Sequence, residues 1–357
     1  MKKLRIAQVG TMWETTPPKL YGGTERVLSD LTEELVKRGH KVTLFATGDS
    51  KTTAKLKHTY PRAAWRDGIH WENFLYPLEH IAHPFMHADE FDIIHVHLNR
   101  SQDYAALAFA QLVNTPTVFE LHFVLPTKKD KRLEDRYKFL MRFKDSNFIS
   151  ISDAQRTMDL NYVATVHHGL NFNLFTEAEK PGKSLVWIGR ICHEKGTKEA
   201  IEVAKKTGMN LILAGKLDMV KYGEYYEKEI KPHIDGKQIK YVGEVNDKQK
   251  IKLLQRAKVL LNPINWNEPF GLVPVEAMAM GVPVIAFDNG AMKDLIMDGK
   301  TGYVVKNVNQ MVEAVKKVDS LNRKLIRQYA VSHFSAGNMV DSYEKVYEKI
   351  IRQHTRK

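Results

Sequence analysis

Along the chain, short apolar runs rich in β-branched residues alternate with segments in which apolar residues recur every three or four positions. The first pattern predicts buried parallel strands, and the second predicts helices that cover the sheet. The strands predicted in the first half are Leu4–Val9, Lys41–Ala46, Asp92–Val96, Thr117–Leu121, Asn147–Ile151 and Val163–His167. The alternation indicates an α/β fold built on a parallel sheet.

A turn-prone segment, residues 171–183, separates this half from a second series of the same kind. Its predicted strands are Ser184–Gly189, Asn210–Ala214, Ile239–Val242, Val259–Leu261, Pro283–Phe287 and Tyr303–Val305. We therefore expect two Rossmann-like domains, residues 1–170 and 184–334, joined by a linker over residues 171–183.

The composition is that of a soluble globular protein: 357 residues, of which 43% are hydrophobic and 27% charged. Cys192 is the single cysteine, which excludes an intramolecular disulfide. The N-terminus lacks the apolar region of a signal peptide, and no apolar run reaches the ~18 residues of a membrane-spanning helix. These features predict a cytoplasmic protein.

The formal net charge of +12 is compatible with binding to nucleic acid, to a membrane surface or to a small anionic substrate. Part of the charge lies in residues 128–144, where cations alternate with aromatic and aliphatic residues. One interpretation is an interfacial helix that brings the protein to the inner face of the membrane as a peripheral protein. The alternative is an ordinary amphipathic helix whose apolar side is buried and whose cations are solvated.

The stretch from Asn267 to Ala277 carries two carboxylates, Glu268 and Glu276, and predicts a loop followed by a helix that begins near Leu272. Amides at the start of such a helix bind anions, and carboxylates accept hydrogen bonds from sugar hydroxyls. Two carboxylates of different reach can therefore flank one ligand. The alternative is that Glu276 only complements the helix dipole and that Glu268 is an exposed loop residue.

Two other loops follow predicted strands and are suited to phosphate. Arg190 and Lys195 lie five residues apart after the first strand of the second half, where two cations can hold a diphosphate. Gly22 and Gly23 open the first helix and permit close approach of a ligand to the backbone. The alternatives are a solvated basic loop and a flexible turn.

These motifs are similar, over nearly the whole chain, to those of the retaining glycosyltransferases of family 4, which have the GT-B fold. The resemblance implies two Rossmann-like parallel-sheet domains that face a cleft, the first binding the acceptor and the second binding a nucleotide sugar. It also implies that the C-terminal helix, residues 335–357, crosses back to pack on the N-terminal domain.

The resemblance further implies roles for individual residues. Arg190 and Lys195 would neutralise the leaving diphosphate, Glu268 would contact the hydroxyls of the donor sugar, and His122 would lie beside that sugar and the acceptor; these four form the predicted catalytic group. The other predicted donor-binding residues are Gly22 and Gly23 at the diphosphate, Gly243, Glu244 and Val245 at the base, the amides of Phe270, Gly271 and Leu272, and Glu276 at the ribose.

No metal or other cofactor is predicted. The chain lacks the Asp-x-Asp motif by which glycosyltransferases of the other major fold hold a cation. His80, His83 and His87 have helical spacing, but Pro84 is expected to interrupt any helix that would bring them together. His95 and His97 share one face of a strand, where we expect them to line the cleft.

The sequence thus predicts a retaining, metal-independent hexosyltransferase that uses UDP-glucose or, less favoured, GDP-mannose. Its acceptor would be a sugar, a lipid-linked sugar or a small molecule. Downstream, Gly290-Ala291-Met292-Lys293-Asp294 departs from the Gly-Gly-…-Glu pattern common in the family, so the donor stays open. The alternatives are an epimerase or sugar phosphorylase on the same fold, and a basic nucleic-acid-binding protein, although no nucleic-acid reader motif is present.

Overall fold

The computed structural model describes residues 2–20, 22–70, 72–177 and 181–355. Three residues of the predicted linker, Ala178, Glu179 and Lys180, lie outside the described residues, as do Arg356 and Lys357 of the predicted C-terminal segment. The chain forms two compact units, Met1–Asn171 together with Ala336–Lys357, and Phe172–Ser335.

Each unit is built on one parallel sheet. In chain order, the strands are β1 (Arg5–Val9), β2 (Lys41–Phe45), β3 (Lys55–Lys57), β4 (Ile93–Leu98), β5 (Thr117–Leu121), β6 (Phe148–Ser150), β7 (Tyr162–Thr165), β8 (Ser184–Ile188), β9 (Leu211–Ala214), β10 (Ile239–Tyr241), β11 (Ala257–Asn262), β12 (Val284–Phe287) and β13 (Gly302–Val305). The first sheet has the order β3-β2-β1-β4-β5-β6-β7, and the second has the order β10-β9-β8-β11-β12-β13. This arrangement confirms the predicted α/β fold with two Rossmann-like sheets.

The helices that cover these sheets are, in chain order, α1 (Gly23–Lys37), α2 (Leu75–Met86), α3 (Ala105–Phe109), α4 (Glu134–Arg142), α5 (Thr197–Thr207), α6 (Met219–Tyr225), α7 (Asp247–Gln255), α8 (Leu272–Ala279), α9 (Met292–Leu295), α10 (Val308–Lys317), α11 (Arg323–Phe334) and α12 (Ala336–Thr355). None of those in the described part of the chain combines the length and the apolarity needed to cross a bilayer.

All twelve predicted strands are present, whereas β3 was not predicted. Its sequence, Lys55-Leu56-Lys57, places one aliphatic residue between two lysines. It forms the edge of the first sheet beside β2, and its three residues are exposed or half-buried, so no apolar pattern marks it in the sequence.

The C-terminal helix α12 belongs to the first unit and packs on α1. It buries Met339, Val340, Tyr343 and Tyr347. Arg38, at the end of α1, reinforces this contact because its Nη1 lies 2.6 Å from Asp341 Oδ1 and 2.8 Å from Glu344 Oε2.

Helix α2 continues through Pro84, so the expectation that this proline interrupts the helix was wrong. Pro84 lies in the last turn and is buried with Pro77, Ile81 and Phe85 on the side that faces the sheet, so burial of this side offsets the hydrogen bond that the proline removes. His80 is buried on the same side, and its Nε2 lies 3.1 Å from the carbonyl oxygen of Gly10.

Helix α4 occupies the middle of the basic segment 128–144. Leu140 is fully buried, and the neighbouring Tyr137, Phe139, Met141 and Phe143 pack against the core of the first unit. The cations of the segment are exposed. The structure therefore favours the ordinary amphipathic helix over one that inserts an apolar face into a membrane.

We predict that His80 makes the first unit sensitive to acid. Burial lowers the pKa of His80 from 6.5 to about 4. The His80 ring therefore stays neutral in the folded protein at a pH where the same ring takes up a proton in the unfolded chain. Stability is therefore lost as the pH falls from 6.5 towards 4. Between pH 7 and pH 5 the wild type should lose about 2 kcal/mol more unfolding free energy than His80→Gln, which cannot protonate.

Urea unfolding at the two pH values measures this difference. The amide group that His80→Gln introduces is able to donate to the Gly10 carbonyl, so both proteins are expected to fold at pH 7. Equal losses for the wild type and the variant would contradict the prediction.

Candidate active site

The predicted donor-binding residues of the second unit follow the carboxyl ends of neighbouring strands. Strands β8 and β11 lie side by side at the centre of the sheet. The chain leaves β8 towards β9 on one side and leaves β11 towards β12 on the other. The loops after the two strands therefore separate at a topological switch point, where open α/β sheets bind ligands.

The loop after β8 carries Arg190 and Lys195, and contacts to its backbone atoms hold it in place. Trp187 Nε1 donates to the carbonyl oxygen of Lys195 over 3.0 Å. Gly196 has φ +68°, and a Cβ atom there would lie 1.8 Å from the carbonyl oxygen of Pro263, in the loop after β11. Only glycine permits this contact, so the two loops are held together.

The loop after β11 brings Glu268 to Lys195. The Lys195 ammonium forms an ion pair with Glu268 Oε2, and Trp266 Nε1 donates to the same oxygen over 2.7 Å. The ammonium also lies 5.3 Å from the centroid of the Trp266 ring. The cation predicted for the diphosphate and the carboxylate predicted for the sugar are thus in direct contact.

A third loop, after β12, contacts the backbone of Glu268 and fixes its position. Gly290 has φ +58°, and a Cβ atom there would lie 2.1 Å from the carbonyl oxygen of Glu268 and 2.4 Å from its nitrogen. The amide of Ala291 donates to the same carbonyl oxygen over 2.9 Å. The segment that departs from the family pattern therefore supports the Glu268 loop directly.

Helix α8 begins at Leu272, as predicted, with Gly271 as its N-cap at φ +111°. The Phe270 ring is buried, with its centroid 6.0 Å from that of Phe334, so the ring belongs to the core of the second unit. Amides in the first turn of a helix have no acceptor within the helix. The predicted anion-binding end of α8 is thus formed by backbone groups.

Glu276 lies one turn inside α8, and its side chain is 4% exposed. Its Oε1 lies 2.5 Å from Lys250 Nζ. Its Oε2 is buried and has no hydrogen-bond partner among the described residues. The sequence analysis missed Lys250, because a lysine in a segment with several lysines gives no signal of a specific partner.

The turn predicted to border the base follows β10 and leads into α7. Gly243 has φ +76°, and its carbonyl oxygen accepts from the amide of Gly215 over 2.8 Å. Glu244 is exposed, and Val245 is half-buried. Asn246 caps α7, so the turn also fixes the helix that carries Lys250.

In the first unit, Gly22 is the N-cap of α1 and Gly23 is its first residue. A Cβ atom on Gly22 would lie 2.9 Å from Glu25 Oε2. Glu25 is buried, and its Oε1 accepts from Thr11 Oγ1 over 2.8 Å. Burial raises the pKa of Glu25. The sequence analysis missed this carboxyl group, which lies at the helix end predicted for phosphate.

The side chain of His122 is only 2% exposed and is turned into the first unit. Its Nε2 lies 2.9 Å from His97 Nδ1 and 3.5 Å from Glu120 Oε1. Glu120 is fully buried and also accepts from His168 Nε2 over 3.1 Å. Burial holds the pKa of His122 well below its usual value, so the ring is neutral at pH 7.

His95 and His97 are completely buried, so the expectation that they line a cleft was wrong. Helix α12 covers this end of the strand, and the Tyr347 hydroxyl lies 2.8 Å from His95 Nδ1. The possible ligand atoms of His95, His97 and Glu120 lie within 4.8 Å of one another, as do those of Glu120, His122 and His168. Hydrogen bonds connect members of both groups, and the absence of a metal stays a prediction.

Comparison with protein-family models gives two matches that together span most of the chain. Residues 174–330 match the model described as glycosyl transferases group 1, and residues 21–158 match that described as glycosyltransferase family 4. An uncharacterised glycosyltransferase of Methanocaldococcus jannaschii is 23% identical over 396 residues, covering 96% of this chain and 94% of the relative. A lipopolysaccharide core mannosyltransferase of Rhizobium leguminosarum is 29% identical over 217 residues, covering 56% and 60%.

Solved structures share the fold over the whole length. The sucrose-phosphate synthase of Thermosynechococcus elongatus superposes with a TM-score of 0.78 at 18% identity, covering 99% of this chain and 100% of its own. An Anabaena protein crystallised with UDP-glucose gives 0.75 at 17% identity, covering 97% and 100%. A glycosyltransferase of avilamycin A biosynthesis gives 0.72 at 21% identity, covering 98% of each chain.

We predict that Gly290→Ala disturbs the Glu268 loop, whereas Gly299→Ala does not. Both glycines have positive φ, +58° and +72°, so each substitution carries the cost of ~1–2 kcal/mol of a left-handed residue. Only at Gly290 would the new methyl group meet backbone atoms, since nothing lies within 4 Å of the position at Gly299. The collision should cost a further ~1–3 kcal/mol.

Thermal unfolding of the two variants tests this, and Gly290→Ala is expected to unfold several degrees below Gly299→Ala. If the two variants unfold at the same temperature, the contact between Gly290 and the Glu268 backbone does not constrain the loop.

Proposed function

Since this chain belongs to the group 1 and family 4 type of glycosyltransferases, we propose that it transfers a hexose from a nucleotide sugar with retention of anomeric configuration. The observation that carries the proposal is the contact between Lys195 and Glu268 at the switch point of the second sheet. In this contact, a cation suited to binding a phosphate lies next to a carboxylate suited to accepting hydrogen bonds from sugar hydroxyls. The family assignment supports this proposal over the alternative of a nucleic-acid-binding protein.

For the donor, we propose UDP-glucose ahead of GDP-mannose. A protein of the same fold has been crystallised with UDP-glucose, and this supports the first choice. The mannosyltransferases among the relatives support the second. In either donor the diphosphate would lie at Arg190, Lys195 and the start of α8, and the ribose at Glu276.

Transfer breaks the bond between the anomeric carbon and a phosphate oxygen, so negative charge builds up on the diphosphate. Fixed donors aimed at that charge each lower the barrier by ~3–4 kcal/mol. In this proposal, Arg190, Lys195 and the first amides of α8 serve as such hydrogen-bond donors. Because they supply positive charge, we propose that the reaction proceeds without a metal ion.

We propose that the acceptor hydroxyl attacks the anomeric carbon from the face that the phosphate leaves. The new carbon–oxygen bond forms as the old one breaks, and the leaving phosphate oxygen takes the proton of the acceptor hydroxyl. This scheme needs no side chain as general base, in keeping with the position of His122, whose Nε2 lies against His97. We propose that His122, whose side chain is buried, affects the position of the sugar and the acceptor through the residues that it holds in place.

For the acceptor, we propose a sugar or lipid-linked sugar that the cytoplasmic enzyme reaches by peripheral contact through segment 128–144. The apolar residues of α4 are packed against the core, so this contact would be electrostatic and involve no insertion. The cations in question are exposed: Lys128, Lys129, Lys131, Arg132, Arg136, Lys138, Arg142 and Lys144.

To test the donor, thermal unfolding is measured with UDP, GDP, ADP and their glucose, mannose and N-acetylglucosamine conjugates. A ligand at a hundred times its dissociation constant adds ~2.7 kcal/mol, which is enough to raise the unfolding midpoint by several degrees. We expect the largest shift for one base and a weaker shift in Glu276→Ala. In a transfer assay, Arg190→Ala should lower kcat by ~100-fold or more.

The matched control is Lys300→Ala, which removes an exposed cation just before β13, the strand at one edge of the sheet. It should bind the donor as the wild type does. No shift with any nucleotide would overturn the transferase proposal. Conversion of the nucleotide sugar without transfer of its hexose would instead identify an epimerase.

For the membrane contact, we predict that Lys128, Lys129 and Lys131 attract anionic lipid. Each lysine near such a surface contributes ~1 kcal/mol, so the triple change to glutamate should weaken binding to phosphatidylserine-containing vesicles by at least ~100-fold. Sedimentation with vesicles at low salt measures this, and binding of the wild type should fall as salt is added.

A control of equal charge change reverses Lys300, Lys306 and Lys324, which are exposed in the second unit. It should retain most of the vesicle binding. Equal losses in the two triple variants would show that net charge, and not segment 128–144, attracts the lipid.

A further inference from the structure

Lys250 joins two parts of the second unit that are distant in sequence. It lies on α7, 26 residues before Glu276. Its side chain is 15% exposed, and its Nζ lies 2.5 Å from Glu276 Oε1 and 3.4 Å from Asp247 Oδ1. The ammonium is therefore held between a carboxylate on its own helix and a buried carboxylate on α8.

The ion pair uses only one of the two oxygens of Glu276. The other, Oε2, is buried and accepts no hydrogen bond from the described residues. A buried oxygen that accepts no hydrogen bond costs free energy, and such an atom normally has a ligand or a solvent molecule as its partner. Two hydroxyl groups on adjacent carbon atoms of a ligand would supply the missing hydrogen bond to Oε2.

The helix that carries Lys250 is itself fixed at the site. Asn246 and Gln249 form a capping box at the start of α7, and the amide of Lys250 donates to the Asn246 carbonyl over 2.8 Å. The turn Gly243–Val245, which we propose at the base, comes directly before this cap. Lys250 thus lies on the first turn of a helix that starts where the nucleoside is proposed to bind.

We propose that Lys250 is a positioning residue for the ribose of the donor. It holds Oε1 of Glu276 in an ion pair, so that Oε2 accepts hydrogen bonds from the ribose hydroxyls. The inference rests on the proposed function, because it assumes that a nucleotide occupies this site. It goes beyond that function in assigning a role to a residue on another helix that does not itself touch the ribose.

The physical reason is that a buried carboxylate needs a partner to stay ionised and in one orientation. Without Lys250, the Glu276 carboxylate would lose the ammonium that holds its Oε1 and would be free to rotate. A purely structural ion pair would differ in one respect, since its loss would lower stability without affecting the recognition of ribose hydroxyls.

The test compares the binding of UDP and of 2′,3′-dideoxy-UDP by calorimetry, or of the corresponding GDP pair if GDP is the nucleotide that binds. The wild type should bind the ribonucleotide more tightly. Lys250→Met, which keeps the aliphatic stem and removes the charge, should weaken ribonucleotide binding about tenfold and dideoxynucleotide binding far less. Lys250→Arg should restore much of the preference, and Glu276→Gln should lose it.

Lys252→Met is the matched control, because Lys252 is exposed on the same helix and should be replaceable without effect. In the transfer assay, Lys250→Met should raise KM for the donor and leave kcat within about twofold. An equal loss of both nucleotides, or no loss of either, overturns the role of Lys250 while leaving the proposed function intact. Failure of the wild type to bind any nucleotide overturns both.

Discussion

The loops at the carboxyl ends of the strands in the second unit are in close backbone contact at three glycine residues, and their arrangement depends on these contacts. A Cβ atom at Gly196, Gly215 or Gly290 would lie only 1.7–2.1 Å from a carbonyl oxygen of a neighbouring loop. Each of the three has positive φ, a conformation that other residues adopt only at a cost. The loops after β8, β9, β11 and β12 can therefore approach one another closely, and the contact between Lys195 and Glu268 depends on that approach.

Much of this unit could be predicted from the sequence because its signals are local. Most of the strands from β8 to β13 are short apolar runs, and α8 begins where Gly271 permits the turn into the helix. The pairing of side chains is not local. Lys195 and Glu268 were both identified, but for different parts of the ligand, and only the structure shows that they form an ion pair. Lys250 lacked any signal, since its partner lies on another helix.

The buried histidines of the first unit show the same limit. The spacing of His95 and His97 places them on one face of β4, but it cannot show what covers that face. The cover is Tyr343 and Tyr347 of α12, about 250 residues later in the chain. A histidine that faces solvent and one that faces a distant helix have the same sequence pattern. The prediction of cleft lining failed for this reason, and the prediction that Pro84 interrupts a helix failed because burial outweighed a local preference.

The proposed donor makes opposing electrostatic demands on the second unit. Sugar and ribose hydroxyls are best recognised by carboxylates, whereas the diphosphate between them requires cations and is repelled by carboxylates. In the structure the two carboxylates that we assign to the hydroxyl groups of the donor are each paired with a lysine: Glu268 with Lys195 and Glu276 with Lys250. The pairing neutralises the acids without removing their capacity to accept hydrogen bonds. A diphosphate can then bind at Arg190 and α8 with two acidic groups nearby, which would be costly if those acids were unpaired.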